Sequence, residues 1–171
     1  PSPEWLHARI EGQDFINRLS RALEEWAAGQ GRRALAPAVN PKFAFCYNDN
    51  QVFMDDRGAP WPVSFTSNWS ERHAAFVCGL GTFGLSKGFI TRKGIAGRFG
   101  SIITDALIEP DNAVPDNIYG NCSMCGRCAE LCPVNAISLE KGKDHAICNE
   151  YVRLTGVKFS PRYGCGKCQV G

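Results

Sequence analysis

An α+β fold is the class that the sequence predicts. The first observation is residues 4–28, where apolar side chains recur at the spacing of one helix face. The second is a pair of segments rich in β-branched side chains, residues 89–91 and 101–108, which predict strands. The third is the distribution of the nine cysteines, most of which lie in the C-terminal third. We therefore predict an α/β domain over residues 1–118 and a cysteine-rich module over residues 119–171.

Composition places the chain among ordinary globular proteins. It has 171 residues and a formal net charge of +2, so it can bury a core and carries no charge excess that indicates DNA binding. No apolar run approaches the roughly 18–20 residues that span a bilayer, and the start at Pro1–Trp5 has no signal-peptide pattern. We expect a cytoplasmic protein without a membrane or DNA partner. The abrupt start and end suggest a fragment of a longer chain.

The first helix is predicted to cover a core, and Gly29–Gly31 is predicted to end it. The side chains of its apolar stripe are Ile16, Leu19, Leu23 and Trp26. The apolar run at residues 33–39 could form a strand, which Pro37 would confine to an edge or an end. In the turn-rich stretch that follows, the pair Asp55-Asp56 fits a solvated turn better than a metal or acid–base site.

A second helix is predicted at Trp69–Cys78. Asn68 followed by Glu71 three residues later has the character of a capping box at its start. Gly79 is well placed as a left-handed residue at its end.

Residues 79–88 are rich in glycine and match the spacing G-x-G-x-x-G. That fingerprint indicates a dinucleotide site only after a strand and before a helix, and here a helix precedes it. We therefore do not expect a Rossmann site. Dense glycine still lets the backbone approach a bound group closely, so a loop contacting a large cofactor and a structural turn both stay open. Arg92, Lys93 and Arg98 could meet phosphate or carboxylate groups, or lie in a solvated loop.

Cysteine spacing is the strongest signal for chemistry. Four cysteines and a proline read C-x2-C-x2-C-x3-C-P, the run that holds iron–sulfur clusters in bacterial-type ferredoxins: Cys122, Cys125, Cys128, Cys132 and Pro133. The first three thiolates would hold one cluster and the fourth would ligate another. Zinc usually takes two separated C-x2-C pairs, and a disulfide framework suits a short secreted chain. Both alternatives fit less well.

A second group of cysteines completes the prediction. Cys148 lies in a predicted helix at residues 146–154, and Cys165 and Cys168 form a further C-x2-C pair. With Cys132 they give four ligands for a second cluster. The chain thus offers seven ligands where two [4Fe-4S] clusters need eight.

The missing ligand belongs to the first cluster. In modules of this kind it would lie just past Gly171, in a longer chain. The alternatives are a three-iron cluster, a non-cysteine ligand, or recruitment of Cys46 or Cys78. The two lone cysteines are more often small buried hydrophobic residues.

The order of these motifs resembles the epoxyqueuosine reductase family and its relatives, the corrinoid-dependent reductive dehalogenases. The resemblance covers residues 64–171 and rests on Ser67–Gly84, the arginine-bearing loop, Ser101–Asp105 and the cysteine module. It implies a nitroreductase-like α/β domain followed by a bacterial dicluster ferredoxin-like module, with cobalamin near one cluster. It also implies a set of residues close to the cofactor, for which we name Gly79, Gly81, Thr82, Phe83, Gly84 and Arg98.

One departure from that family concerns the proton donor. Counting back from Glu71-Arg72, Phe65 stands where the tRNA-modifying members carry an acidic residue. A phenyl ring has no proton to donate, which argues against deoxygenation of the queuosine precursor and for a paralogue with another substrate. The catalytic residues are not predicted.

The leading interpretation is an iron–sulfur reductase that passes electrons through two clusters to a cofactor, with cobalamin favoured and flavin second. We expect a flavodoxin or ferredoxin as electron donor and a small molecule or tRNA as substrate. The alternatives are a ferredoxin-like electron-transfer protein without its own substrate, and a cluster-stabilised tRNA-binding module.

Overall fold

A computed structural model of the chain describes residues 1–46, 54, 57–60 and 65–169. Within these ranges it has four α-helices and eight strands of two or three residues each, which confirms the α+β class. No helix in this part of the chain has the length and apolar character needed to cross a membrane. The Asp55-Asp56 pair lies outside the described residues.

The chain divides into two compact units. The first comprises Pro1–Ile16, Arg72–Phe99 and Ile108–Gly171, and the second comprises Asn17–Glu71 and Gly100–Leu107. Residues 72–99 thus group with the cysteine module. The predicted division at residue 118 stays a prediction.

Helix α1 runs from Pro3 to Gly29, as the apolar period predicts. Its predicted buried stripe is wrong in its C-terminal half, because Leu19, Leu23 and Trp26 are exposed by 46%, 41% and 66%. Leu6 and Ala27 are buried instead. Periodicity located the helix correctly and misassigned the face that packs.

Two short ladders belong to the second unit. Strand β1 (Ala34–Leu35) pairs antiparallel with β6 (Ile103–Thr104), and β2 (Phe45–Cys46) pairs antiparallel with β3 (Thr66–Ser67). A 3-10 turn at Pro37–Val39 follows β1, because proline fixes φ and has no N–H for the ladder. The strands predicted at residues 33–39 and 101–108 are therefore only two residues long.

The β1–β6 ladder is extended by one ion pair. The backbone N and the side-chain Nε of Arg33 both donate to the carboxylate of Asp105, each at 2.9 Å. These hydrogen bonds lower the pKa of Asp105, because they favour the charged carboxylate.

In the first unit, helix α2 spans Glu71–Val77 and is followed by the antiparallel hairpin of β4 (Gly81–Phe83) and β5 (Phe89–Thr91). Gly79 has a φ of 70° and ends α2 in the predicted left-handed conformation. The predicted cap at Asn68 is wrong. Its side chain accepts from the N–H of Ala44 and donates to the carbonyl of Lys42 instead.

A small aromatic core holds α2 against this hairpin. Phe89 is 2% exposed and makes edge-to-face contacts with Phe83 and Phe99, at centroid distances of 5.3 and 5.1 Å. Ala75 of α2 is buried in the same cluster. Because edge-to-face packing aligns ring quadrupoles favourably, Phe89 is its central contact.

The cysteine module completes the first unit. It contains helix α3 (Arg127–Glu130), the hairpin of β7 (Ile137–Ser138) and β8 (Gly142–Lys143), helix α4 (His145–Phe159) and a 3-10 turn at Lys167–Gln169. The helix predicted at residues 146–154 is confirmed and extends further. The side chain of Asp144 caps α4 by accepting from the N–H of Ile147 at 3.1 Å.

Replacing Phe89 by Ala should lower the free energy of unfolding by about 3–5 kcal/mol, because it leaves a cavity between two rings. Urea denaturation measures the change. Leu107→Ala is the matched control, since Leu107 is 93% exposed, and it should change stability by less than about 0.5 kcal/mol. Equal effects of the two substitutions would contradict this core assignment.

Candidate metal centre

The first cysteine loop is tied to the β4–β5 hairpin immediately before Cys122. The backbone N of Asn121 donates to Oγ1 of Thr82 at 2.8 Å, and its Nδ2 donates to the carbonyl of Ile90 at 3.0 Å. The N–H of Leu85 donates to Sγ of Cys122 itself at 3.4 Å. The hairpin thus fixes where the first thiol stands.

The backbone between the cysteines turns sharply. Met124 and Gly126 have φ values of 53° and 77°, and Gly126 is the N-cap of α3. Left-handed residues in such turns point successive N–H groups into a concavity that favours anions. The N–H of Arg127 and then the hydroxyl of Ser123 lower the pKa of Cys125, so this loop favours a thiolate.

The pKa of Cys128 depends on two other thiols of the first cysteine motif, Cys122 and Cys125. Burial raises the pKa of Cys128, the N–H groups of its own residue and of Ala129 oppose that shift, and the charges of Cys122 and Cys125 raise it further. Such coupling requires the three sulfurs to be near neighbours. They are the three residues that spacing assigns to the first cluster.

Cys132 follows one residue after the cap of α3 and has a different environment. Its Sγ accepts the N–H of Ala136 at 3.2 Å, across a turn in which Asn135 has a φ of 51°. Pro133 lies within this turn, where a residue without an N–H ends the helical hydrogen bonding.

A second group of thiols surrounds Cys168. Burial raises the pKa of Cys168 most, the charge of Lys143 opposes that shift, and the charges of Cys148 and Cys165 raise it. Cys148 is the fourth residue of the 15-residue helix α4.

The two groups lie in neighbouring elements. Helix α3, which carries Cys128, contacts the 3-10 turn that carries Cys168. The eight cysteine side chains that the structure describes are all free thiols. Among the described residues no three His, Cys, Asp or Glu side chains are spaced to hold one metal ion. Thiolates on one cubane bind different irons and stand farther apart than ligands of a single zinc ion.

The lone cysteines differ from these groups. Cys78 is exposed just after α2 and belongs to neither thiol group. The side chain of Cys46 lies outside the described residues. The eighth ligand therefore stays open.

A cavity of about 720 Å³ is lined in part by Asn121, the residue that precedes Cys122. It is bordered by the end of α2, the β4–β5 hairpin and the residues that lead into Cys122, including Gly120 and Asn121. Arg92 and Lys93 line the same space. A molecule bound here would lie against the residue that precedes the first thiol.

The residues named for a cofactor separate into two groups. Gly79, Gly81 and Thr82 line the cavity. A Cβ at Gly79 would stand 2.5 Å from the carbonyl oxygen of Ala113, and one at Gly81 would stand 2.1 Å from that of Ile90. Glycine is thus required at both positions because the chain's own backbone fills the space.

The other named residues have different surroundings. Phe83 is buried in the aromatic core, and Gly84 lies in the hairpin turn, where its N–H donates to the carbonyl of Gly88. Arg98 is not among the residues lining the described cavity, and its Nη2 donates to the carbonyl of Arg9 at 2.8 Å. Phe65 has a φ of 57°, an unusual backbone conformation for a bulky side chain.

Three basic side chains lie close to His145, the first residue of the helix that carries Cys148. Burial, followed by the charges of Lys87, Lys143 and Arg72, lowers the pKa of His145 to about 4. The imidazole is therefore neutral at pH 7. Arg72 also donates to the carbonyl of Lys87, which brings these basic residues together.

Sequence reasoning missed two contacts of the second group. Trp5 and Arg9, near the start of α1, lie against the loop that carries Cys165. An aromatic residue and an arginine one helical turn apart are the only signal in the sequence, and such a pair is common on helices.

The comparison with known families agrees with the cysteine geometry. Residues 117–138 match the 4Fe-4S binding domain family. This segment contains the four cysteines of the first motif. The match supports binding of a [4Fe-4S] cluster.

Part of the chain is also similar to reductive dehalogenases. It is 37% identical over 68 residues to tetrachloroethene reductive dehalogenases from Desulfitobacterium hafniense and Dehalobacter restrictus (strain DSM 9455 / PER-K23). The match covers 39% of this chain and only 12% of each relative's length. No solved structure matches the chain significantly. The 4Fe-4S domain match and the similarity to reductive dehalogenases together support a role in iron–sulfur electron transfer.

If two four-iron clusters bind as the cysteine spacing predicts, replacing Cys148 by Ser should lower the iron content of anaerobically reconstituted protein by about half, because one predicted site would lose a ligand. Iron and acid-labile sulfide analysis measure the loss. Cys78→Ser is the control and should leave the iron content unchanged. Full iron content in Cys148→Ser would contradict the assignment of this thiol.

Proposed function

We propose that this chain is the electron-delivering part of an iron–sulfur reductase whose acceptor is a cofactor in the cavity beside Cys122. The observation that carries the proposal is Asn121, which lines the cavity and immediately precedes the first thiol. Bound iron–sulfur clusters supply one-electron transfer. The chain's own residues hold, orient and shield the groups involved.

Two clusters are assigned to the two groups of thiols. The first takes Cys122, Cys125 and Cys128, and the second takes Cys132, Cys148, Cys165 and Cys168. Cys132 is assigned by its spacing, and for the other six thiols the charges that act on Cys128 and Cys168 support this division. Backbone N–H groups donate to the sulfurs of Cys122 and Cys132, which supports cluster binding because hydrogen bonds to the sulfurs are a feature of cluster sites.

Cobalamin is the favoured cofactor and a flavin is the second choice. The polar side chains of the cavity comprise hydroxyls, amides, two cations and one carboxylate: Thr82, Thr91, Arg92, Lys93, Asn112, Asp116, Asn117 and Asn121. Amides and hydroxyls suit the carboxamide rim of a corrinoid, and the cations suit the phosphate that both candidates carry. A cavity of about 720 Å³ is typical for a drug-sized ligand, so a corrinoid would contact it along one edge.

The proposed reaction is a reduction of a small molecule. The tetrachloroethene reductive dehalogenases support this class of reaction through a stretch of 68 residues that is 37% identical. Phe65 argues against the tRNA epoxide reaction, although a tRNA substrate of another kind is compatible with the proposal. An electron-transfer protein without its own substrate is the second candidate, and the cavity beside the first thiols favours a reductase.

The electron donor is proposed to be an acidic carrier such as a flavodoxin or ferredoxin. Lys143 supplies positive charge at Cys168, and Lys87 and Arg72 add theirs at His145, the first residue of the helix that carries Cys148. Oppositely charged surfaces accelerate encounter between proteins. Electrons would then enter near the second cluster and leave from the first, which adjoins the cavity.

The direct test is anaerobic reconstitution with iron and sulfide, followed by incubation with hydroxocobalamin or flavin mononucleotide and gel filtration. We expect iron–sulfur absorbance and corrin absorbance to elute together. If iron–sulfur absorbance elutes with neither cofactor, the electron-transfer protein without its own substrate is favoured instead.

Arg92→Glu should weaken cofactor binding by about tenfold, equivalent to about 1.4 kcal/mol, because it places a carboxylate where a phosphate would bind. Equilibrium dialysis measures the affinity. Arg21→Glu makes the same charge change on the exposed surface of α1 and should leave the affinity unchanged. Equal weakening of cofactor binding by both variants would show that net charge, and not a local contact of Arg92, causes the effect.

Lys87→Glu should slow reduction of the clusters by an acidic donor by roughly threefold or more at low salt, since electrostatic steering weakens. Stopped-flow absorbance measures the rate. The difference from wild type should shrink as salt screens the charges. Lys158→Glu on α4 serves as the control. If the clusters of Lys158→Glu are reduced as slowly as those of Lys87→Glu, a local docking role of Lys87 is contradicted.

A further inference from the structure

The start of α1 packs directly on the backbone at both sides of Cys165. Gly164 and Gly166 have φ values of 129° and 72°, which glycine tolerates best. A Cβ at Gly166 would lie 2.1 Å from Cε2 of Trp5, and one at Gly164 would lie 2.7 Å from Cζ3 of the same ring. The indole therefore occupies the space that side chains at these two positions would need.

Arg9 lies beside Trp5 in this contact. Its guanidinium carbon is 5.9 Å from the centroid of the Trp5 ring and 4.7 Å from that of Tyr163. Its Nε is 2.8 Å from the place of a Cβ on Gly164, is buried, and has no hydrogen-bond partner among the described residues. A buried N–H without an acceptor is costly, so an acceptor that is not a protein atom is expected nearby.

Several polar contacts hold this arrangement in place. Arg162 donates to the carboxylate of Glu11 at 2.7 Å, and Arg98 donates to the carbonyl of Arg9 at 2.8 Å. The N–H of Gly164 donates to Oγ1 of Thr155, a residue only 4% exposed in α4. Segments far apart in the sequence therefore fix the loop of Cys165 against α1.

We propose that Trp5 and Arg9 are positioning residues of the second cluster. Trp5 excludes water from the Cys165 side, and Arg9 directs a positive charge and a free N–H towards the anionic group. The inference rests on the proposed function, in that Cys165 must ligate a cluster. Solvent exposure and hydrogen bonds to sulfur are among the factors that set the potential of such a cluster.

The two residues should shift the midpoint potential in opposite directions. Reduction adds negative charge, which water stabilises, so Trp5→Ala should raise the potential of one cluster by admitting water. Arg9→Gln should lower it by removing a cation that stabilises the reduced state. Trp5→Phe keeps most of the apolar cover and should stay close to wild type.

The experiment uses the full chain, reconstituted anaerobically, with redox titration followed by electron paramagnetic resonance. Trp26→Phe and Arg21→Gln are the controls, since both residues are exposed elsewhere on α1. In air, absorbance of the Trp5→Ala protein should bleach about tenfold faster than that of wild type. Cluster loading should also quench tryptophan fluorescence less in Trp5→Phe than in Trp26→Phe.

Unchanged potentials in both Trp5→Ala and Arg9→Gln, with wild-type iron content and circular dichroism, would overturn the inference. If Trp5→Ala does not fold, the inference is tested by the fluorescence quenching of Trp5→Phe and the midpoint potential of Arg9→Gln. A wild-type chain that binds no iron would refute the proposed function itself, and iron analysis of wild type identifies that case first.

Discussion

The hydrogen bonds of Asn121 are the constraint on which the rest of the candidate site depends. They join the residue before Cys122 to Thr82 of β4 and to Ile90 of β5. The same hairpin packs its phenylalanines against α2. A metal-binding loop and a cavity wall therefore share one rigid support, which is what a group exchanging electrons with a ligand in that cavity would require.

The candidate metal-binding residues could be predicted from the sequence more completely than the packing of the helices. Cysteine spacing is a local property, so it identified the motif that the 4Fe-4S domain match covers. Helix α1 was also predictable, because a long periodic segment is a local signal. The exposed positions of Leu19 and Leu23 were not, since a repeat of apolar residues does not identify the surface that meets a core.

The glycine-rich segment shows a different limit. Its spacing suggested close approach to a bound group, whereas Gly79 and Gly81 are glycines because carbonyls of Ala113 and Ile90 stand where a Cβ would be. Both glycines nevertheless border the cavity. A glycine in the sequence indicates that its backbone lies close to another group. Only the tertiary contacts identify that group. The contact of Trp5 with Gly164 and Gly166 could not be predicted for the same reason, because it joins opposite ends of the described chain.

The distribution of thiols along the chain has a consequence for assembly. The first motif closes only short loops, so the conformational entropy lost in gathering its sulfurs is small. The proposed second cluster would require Cys132 to meet Cys148 in α4 and two cysteines beyond it, and that longer loop would have to close before the sulfurs converge. On the proposed assignment, iron delivered to a growing or partly folded chain would be captured first by the early motif, and the second site would mature only after the helices dock.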